Sequence, residues 1–216
     1  MKYSVVSIWL ALLVLPQLGL SQANCDLRKD NDGIKVYLCE SEISNFKTIV
    51  VDLEVPATLS QYAAVVLDIE NYHQWQYKAI NPRQVGKISK TELYYYSEVE
   101  TPWPISNRDM IWHLRMSQDS LTKVLTVDLL ETPDYLPEVE GVVRIPKAHS
   151  TLTVTPIDKT NVQVHYSLDV EPGGEVPAWI SNMFAAQAPW QTYNTFRKRI
   201  IAQGENRVTV SFIEDF

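Results

Sequence analysis

Two kinds of hydrophobic spacing, one after the other along the chain, constrain the fold most strongly. Every second residue from Val162 to Val170 is apolar, which predicts a strand with one buried face. After a Pro-Gly-Gly segment at 172–174, apolar residues of the stretch 176–201 recur every three or four positions, which predicts a long amphipathic helix. Pro189 lies inside that stretch and should kink or split the helix.

Further strands precede this helix. Strand-like spacing occupies the segments 34–38, 46–55, 92–100, 110–117, 121–130 and 151–155. Leu59 to Leu67 has helical spacing instead, with Thr58 or Ser60 as its N-cap. Consecutive strands joined by short turns favour an antiparallel sheet. We therefore predict an α+β fold in which a curved antiparallel sheet wraps around a long C-terminal helix.

This architecture favours an internal cavity. A single helix cannot cover the whole apolar face of six or seven strands, so loops must close the remainder or a space must stay open. A space between a long sheet and a helix is a natural container for an apolar small molecule. The small number of glycines, seven in the whole chain, favours one compact unit over two tethered ones.

Residues 1–23 have the pattern of a signal peptide. Lys2 supplies a positive charge, the stretch 5–15 is almost wholly apolar, and small residues at Ser21 and Ala23 suit a signal peptidase. We predict cleavage after Ala23 and an exported protein, periplasmic or secreted. A retained N-terminal anchor is the alternative.

Two cysteines, Cys25 and Cys39, flank a hairpin signal. The segment 31–33 reads Asn-Asp-Gly, which suits a three-residue loop with glycine in the left-handed conformation. Centring the hairpin on Asp32 places the two cysteines opposite each other. Because export permits oxidation, we predict a cross-strand disulfide, with two free thiols as the alternative.

Charge and motif content exclude several function classes. The chain has 26 acidic and 19 basic residues, a net charge of −7, which argues against nucleic acid as a partner. The four histidines are scattered and have no metal-ligand spacing. Neither a nucleophile elbow nor a glycine-rich phosphate loop occurs. We accordingly assign no catalytic residue, metal ligand or cofactor.

Four segments, in order along the chain, resemble a known family. They are residues 32–37 (DGIKVY), 71–75 (NYHQW), 99–109 (VETPWPISNRD) and 171–182 (EPGGEVPAWISN). Together they resemble START lipid-transfer domains, the family named after the steroidogenic acute regulatory protein. With its leader, the chain resembles a secreted bacterial member, with a START-like domain at 24–206 and a tail at 207–216.

The resemblance implies a helix-grip fold with an apolar tunnel between sheet and helix. It also implies a lipid, sterol-like or hopanoid-like cargo, held for transport or sensing, and transient membrane contact. The family has no common catalytic residues, so no enzyme activity is expected. Arg108 and Asp109, adjacent on a strand, should point to opposite faces. We assign each a structural contact with a loop, with ligand contact as the alternative, and we assign structural roles to Gly173 and Gly174.

The candidate ligand contacts are residues at the inward-facing positions of the predicted strands and on the apolar side of the predicted helix. These are Trp112, Leu114, Leu152, Val154, Val164, Tyr166, Leu168, Met183, Phe184, Gln187 and Trp190. Each of them could equally be ordinary core.

Two other functions stay open. A polyketide-cyclase-like enzyme of the same superfamily would need an acid or base inside the pocket, for which Tyr166, His149 and Arg144 are the nominees. A non-catalytic interaction module would have a filled core and an exposed apolar patch. The alternating tail segment 208–212 could add an edge strand, pair with a partner, or stay unordered.

Overall fold

The computed structural model describes residues 24–41, 46–176, 183–203 and 208–216. The side chains of Met183, Phe184 and Gln203 are not among the described ones. The leader proposed at residues 1–23, with its cleavage site, lies outside the described residues and stays a prediction.

The described chain forms ten strands and two α-helices. The strands are β1 Cys25–Asn31, β2 Ile34–Cys39, β3 Thr48–Val55, β4 Ala79–Lys87, β5 Glu92–Val99, β6 Arg108–Gln118, β7 Leu125–Glu131, β8 Val143–Arg144, β9 Lys147–Pro156 and β10 Val162–Glu171. The helices are α1 Leu59–Leu67 and α2 Ala188–Gln203. A π-helical turn at Met183–Gln187 precedes α2, and 3₁₀ turns lie at Ile69–Gln74 and Pro133–Tyr135.

All ten strands belong to one sheet, in the order β1-β2-β3-β10-β9-β7-β6-β5-β4. Neighbours along this path pair antiparallel, and β8 adds a short parallel pairing to β6. α2 packs against β2, β3 and α1. The curved antiparallel sheet around a long C-terminal helix confirms the predicted α+β helix-grip fold.

The first hairpin differs in detail from the prediction. Its turn has two residues, Asp32 (φ 52°) and Gly33 (φ 71°), and Asn31 pairs directly with Ile34. Two consecutive left-handed residues match the twist of the flanking strands better than a three-residue loop does. A bulge between Leu27 and Lys29 then shifts the register by one residue.

The shifted register brings Cys25 opposite Cys39. The two cysteines are joined by a disulfide that closes a segment with a sequence separation of 14. The cross-link ties the start of β1, which is an edge strand of the sheet, to the end of β2.

Strand β4 is not among the strands predicted from the sequence, because its alternation of apolar and polar residues is interrupted. Its pairing with β5 shifts register twice, between Ile80 and Arg83 and between Gln84 and Gly86. Asn81 adopts a left-handed φ of 52°, and Pro82 follows it. A proline and two bulges are tolerated at this place because β4 is the other edge of the sheet.

The C-terminal helix changes from π-helical to α-helical immediately before Pro189. The π-helical turn ends at Gln187, and α2 begins at Ala188. Pro189 therefore lies in the first turn of α2, directly after the π-helical turn, and it cannot donate the backbone hydrogen bond of a regular helix there. The beginning of the predicted 176–201 helix, at 177–182, lies outside the described residues.

The helix α1 begins where its sequence predicts. Thr58 is the N-cap in a capping box: Gln61 N donates to Thr58 Oγ1 at 3.2 Å, and Thr58 N donates to Gln61 Oε1 at 2.9 Å. Tyr62 and Val66 of α1 point into the core. Tyr62 packs on Phe196 of α2 with ring centroids 4.8 Å apart.

The described part of the tail packs against its own domain and forms no strand. Phe212 and Ile213 lie against the core cluster. Ser60 N donates to Asp215 Oδ1 at 2.8 Å, which satisfies a free donor at the start of α1. Glu214 N donates to Gln118 Oε1 at 2.9 Å.

We expect the disulfide to stabilise the fold by restricting the unfolded chain between Cys25 and Cys39. Replacing both cysteines by serine (Cys25→Ser with Cys39→Ser) should lower the free energy of unfolding by about 3 kcal/mol, since the unfolded chain gains conformational freedom. Urea denaturation measures the change. The wild type in a reducing agent should match the double variant, and an unchanged midpoint under reduction would contradict the expectation.

Candidate functional site

A cavity of about 460 Å³ lies between the sheet and α2. Most of its lining side chains are apolar or aromatic. Its volume lies within the range of about 300–1,000 Å³ found for small-molecule sites. α1 closes one side through Tyr62 and Val66, and α2 contributes Ala188, Tyr193 and Phe196.

The cavity lies at one end of the sheet. At this end β2, β5 and β10 finish while β3, β6 and β9 begin. Each strand lines the cavity with the inward residues nearest that end, such as Leu38 on β2, Ile49 on β3 and Val99 on β5. Further along the same strands, the inward residues belong to a packed core.

Four of the predicted ligand contacts line the cavity. They are Trp112 on β6, Leu152 on β9, and Tyr166 and Leu168 on β10. The alternation along each strand predicts that these residues lie on the inner face. They line the cavity because they lie near the end of the sheet where the cavity is.

Three of the predicted contacts lie in the core and not on the cavity wall. Leu114, Val154 and Val164 are fully buried at the far end of the sheet, where they pack among other core residues. They share the inward phase with the cavity residues of their own strands. The position along a strand where packing ends cannot be read from its alternation, since the spacing is the same on both sides.

Two helix candidates bind the first hairpin and not the cavity. Gln187 Oε1 accepts a hydrogen bond from Lys29 Nζ at 2.7 Å. Trp190 Nε1 donates to Asn31 O at 3.2 Å, and Lys29 Nζ lies 3.9 Å from the Trp190 ring centroid. Neither side chain lines the cavity. The other two helix candidates, Met183 and Phe184, have side chains outside the described ones.

The predicted structural residues have clear positions. Gly173 and Gly174 adopt left-handed φ values of 66° and 59°. A Cβ on Gly173 would lie 3.2 Å from Arg144 O, so this glycine also allows a close backbone approach. Arg108 Nη1 donates to Ser106 O at 2.6 Å, a contact with the β5–β6 loop, yet the same side chain also lines the cavity.

The cavity position of Arg108 had a signal in the sequence. Counting back in steps of two from Trp112 gives Met110 and then Arg108, and all three line the cavity. The period-two rule for strands thus predicts the inward face for this arginine. A ligand contact is therefore the alternative to a structural role that this spacing leaves open for Arg108.

Tyrosines line much of the cavity wall, and they are uncharged. Burial raises the pKa of the hydroxyls of Tyr62, Tyr95, Tyr166 and Tyr193. They therefore present neutral hydroxyl groups to a ligand at any ordinary pH. Two further buried polar atoms of the wall, Trp75 Nε1 and Gln76 Oε1, have no hydrogen-bond partner among the described residues.

The opposite face of β6 carries a buried ion pair. Arg144 Nε and Nη2 donate to the two oxygens of Asp109 at 2.8 and 3.0 Å. Arg144 also donates to the Leu136 and Pro137 carbonyls, each at 3.1 Å. This bidentate pair fastens the segment 133–144 to the outside of the strand whose inner face lines the cavity.

Glu131 is buried beside this ion pair. Both of its carboxylate oxygens lie 3.1 Å from Ile111 N, which donates to them. Burial raises the pKa of Glu131 to about 8, against the lowering effects of the Ile111 N–H and of Arg144. The folded protein therefore favours the protonated carboxyl at neutral pH.

The described residues contain no group of three or more His, Cys, Asp or Glu side chains arranged to hold a metal ion. No helix in the described ranges has the length and apolar character needed to cross a bilayer.

The sequence matches the START domain family model over residues 27–206. The chain belongs to the START domain family. This confirms the resemblance that four short segments predicted.

Relatives of this START chain cover most of its length. An uncharacterised protein of Pseudomonas aeruginosa is 29% identical over 171 residues, which is 79% of this chain and 84% of that protein. Human phosphatidylcholine transfer protein is 25% identical over 188 residues, 85% of this chain and 87% of that protein. The crystal structure of a STAR-related lipid transfer protein from Xanthomonas axonopodis has 32% identity and a TM-score of 0.74, covering 82% of this chain and 98% of that one.

We expect Glu131 to make stability depend on pH. Its folded pKa of about 8 exceeds its ordinary value of 4.5, so its contribution to stability is full below pH 4.5 and is lost as pH rises through 8. The loss is on the order of a few kcal/mol. Urea denaturation across this range should show the decline in the wild type.

Glu131→Gln should flatten that decline, because the amide oxygen still accepts from Ile111 N but carries no charge. The exposed Glu140 lies nearby in sequence, and Glu140→Gln is the matched control that should keep the wild-type pH profile. A decline of equal size in the Glu131→Gln variant would rule out this residue as its source.

Proposed function

We propose that this START protein holds one lipid, with its apolar part in the cavity between the sheet and α2. The observation that carries the proposal is the cavity itself: about 460 Å³, walled by aliphatic and aromatic side chains, in a fold that otherwise packs to a dense core. Burial of the ligand's apolar surface would drive binding, at about 25 cal/mol per Å². The lipid-transfer names of two relatives support the same conclusion.

We assign the protein a carrier role and not a catalytic one. Of the three residues nominated for cyclase chemistry, Tyr166 lines the cavity and stays protonated because burial raises its pKa. His149 Nε2 lies 2.7 Å from Asp128 Oδ1, and Arg144 is paired with Asp109 on the outer face. The nominees therefore do not converge on one ligand atom, as general acid–base catalysis requires.

The interaction-module alternative is disfavoured by the same cavity. A module of that kind would have a filled core, whereas here the inward residues of several strands border open space. A structure that leaves this volume between sheet and helix has lost packing contacts that it could otherwise make. Occupancy by a ligand would restore them.

The first test is native mass spectrometry of the protein purified from its own host, followed by solvent extraction and lipid analysis. We expect a stoichiometric adduct of a few hundred daltons or more that extracts as a lipid. A bare protein mass, together with failure to take up a fluorescent phospholipid from vesicles, would overturn the carrier function.

A variant that fills the cavity should lose the ligand. Ala188 is 8% exposed and lines the cavity at the start of α2, so Ala188→Phe should weaken uptake of the fluorescent phospholipid by at least about tenfold. Ala202 lies on the exposed side of α2, and Ala202→Phe is the matched control that should bind as the wild type does. Equal binding by both variants would place the ligand elsewhere.

We further propose that the protein contacts membranes transiently at the cavity end of the sheet. Trp103 is 91% exposed in the connection between β5 and β6, flanked in sequence by Thr101 and Arg108, which both line the cavity. Tryptophan side chains favour the membrane–water interface. Leu121 is also 90% exposed but lies in the β6–β7 turn at the opposite end.

These two positions form a matched pair for a transfer assay. Trp103→Ala should slow lipid uptake from vesicles several-fold while leaving the equilibrium affinity unchanged, since the residue would help docking and not hold the ligand. Leu121→Ala should change neither quantity. Equal rates of lipid uptake for the two variants would show that the cavity end of the sheet does not dock on the membrane.

We propose an extracytoplasmic site of action, periplasmic or secreted. The support is the signal-peptide pattern of residues 1–23 and the disulfide between Cys25 and Cys39, a cross-link that persists in oxidising compartments. Cell fractionation of the full chain, compared with a chain lacking residues 2–23, tests the proposal. Equal cytoplasmic retention of both would refute it.

A further inference from the structure

Arg108 places a buried positive charge on the wall of the cavity. It is the first residue of β6, is 7% exposed, and lines the cavity with Met110 and Trp112. Burial lowers the pKa of its guanidinium, but an arginine remains charged at neutral pH. The proposed function, which uses the apolar wall, gives this charge no role.

Within the described residues, no carboxylate lies within 4 Å of the Arg108 guanidinium. The buried acids near it in sequence are engaged elsewhere. Asp109 faces the other side of β6 and pairs with Arg144. Glu98 accepts from Asn81 Nδ2 at 3.0 Å and from Asn107 Nδ2 at 2.7 Å. An unpaired buried charge is costly, so its retention calls for an explanation.

The loop contact of Arg108 does not supply that explanation. Its Nη1 donates to Ser106 O, but Thr101 Oγ1 lies 2.8 Å from the same carbonyl and 2.8 Å from Ile105 O, so its one hydroxyl proton can serve either carbonyl. Thr101 N also donates to Asn107 Oδ1 at 3.0 Å, which holds the loop a second time. The loop therefore has its own hydrogen bonds, and the charge of Arg108 is not needed to hold it.

Most of the donor capacity of Arg108 is free. A guanidinium has five N–H donors, and among the described residues only the Nη1 bond to Ser106 O uses one. Nη2 and Nε make no hydrogen bond there. This leaves donors of the planar fork for an oxyanion, in a site whose low dielectric strengthens such a contact.

The cavity wall near Arg108 is apolar, which indicates the chemistry of the rest of the ligand. Val99 is its direct partner on β5, and Ile145 and Met110 also line the cavity. A molecule that satisfies both features has an oxyanion at one end and a hydrocarbon chain along the apolar wall.

We propose that Arg108 binds the oxyanion of a lipid head group, a phosphate or a carboxylate, inside the cavity. This inference rests on the proposed lipid-binding function and narrows its cargo to anionic or phosphate-bearing lipids. Neutral lipids of the same length, including sterol-like molecules, would leave the charge unpaired and bind more weakly.

Three lipids with the same acyl chain test the proposal: palmitate, 1-palmitoyl lysophosphatidate and neutral 1-palmitoylglycerol. In displacement of a fluorescent fatty acid, the wild type should bind at least one of the two anionic lipids about 10- to 100-fold tighter than the neutral one. The tighter of the two identifies phosphate or carboxylate as the source of the oxyanion.

Arg108→Met should remove this preference while keeping the affinity for 1-palmitoylglycerol. Arg115 lies on the same strand, on its outer face, with a side chain 54% exposed and paired with Asp128. Arg115→Met removes the same charge from the protein and should keep the preference. Arg108→Lys keeps the positive charge but lacks the planar guanidinium, so it should retain part of the preference for anionic lipids. This variant also tests the proposal if Arg108→Met fails to fold.

The thermal stability of the lipid-free protein separates ligand binding from a structural role. Arg108→Met should leave the melting temperature unchanged or raised, because it removes an unpaired charge while Ser106 O can still accept a hydrogen bond from Thr101 Oγ1. A large drop in melting temperature together with equal loss of all three lipids would overturn the inference. Equal wild-type affinity for all three lipids would also overturn it while leaving the carrier function intact. Failure of the wild type to bind any of them would count against the carrier function itself.

Discussion

The structure depends on how the concave face of a curved sheet is removed from water. α2 covers this face where it packs on β2 and β3, and α1 adds Tyr62 against Phe196. Burial of these apolar surfaces provides the main driving force for the fold. Toward the end of the sheet where β6 and β9 begin, the same apolar face borders a cavity instead of a core. Folding and ligand binding therefore use one continuous surface.

The beginning of β6 shows how that surface receives a buried charge. Asp109 points outward and is neutralised by Arg144 through two hydrogen bonds. Arg108, the preceding residue, points inward and has no such partner among the described residues. Alternation along one strand thus gives two adjacent charges opposite surroundings. One of them fastens a covering segment to the sheet, and the other is available to a ligand.

The candidate site was predictable from the sequence only in part. The period-two spacing assigned Trp112, Leu152 and Tyr166 to the inner face, and they line the cavity. The same spacing assigned Leu114 to that face, and it lies in packed core. Hydrophobic periodicity reports which side of a strand is buried, but it does not report whether the buried side meets another side chain or open space.

The sequence by itself determined the class of fold, the helix α1 with its Thr58 cap, and the START family, because local spacing, capping and short motifs are properties of neighbouring residues. The tertiary structure decided the edge strand β4, the bulge that brings Cys25 opposite Cys39, the contact of Gln187 with Lys29, and the limits of the cavity. Each of these depends on the distance between segments that are far apart in the chain or on a register between two strands. Such distances are set by the packing of the whole sheet against α2, which no local pattern contains.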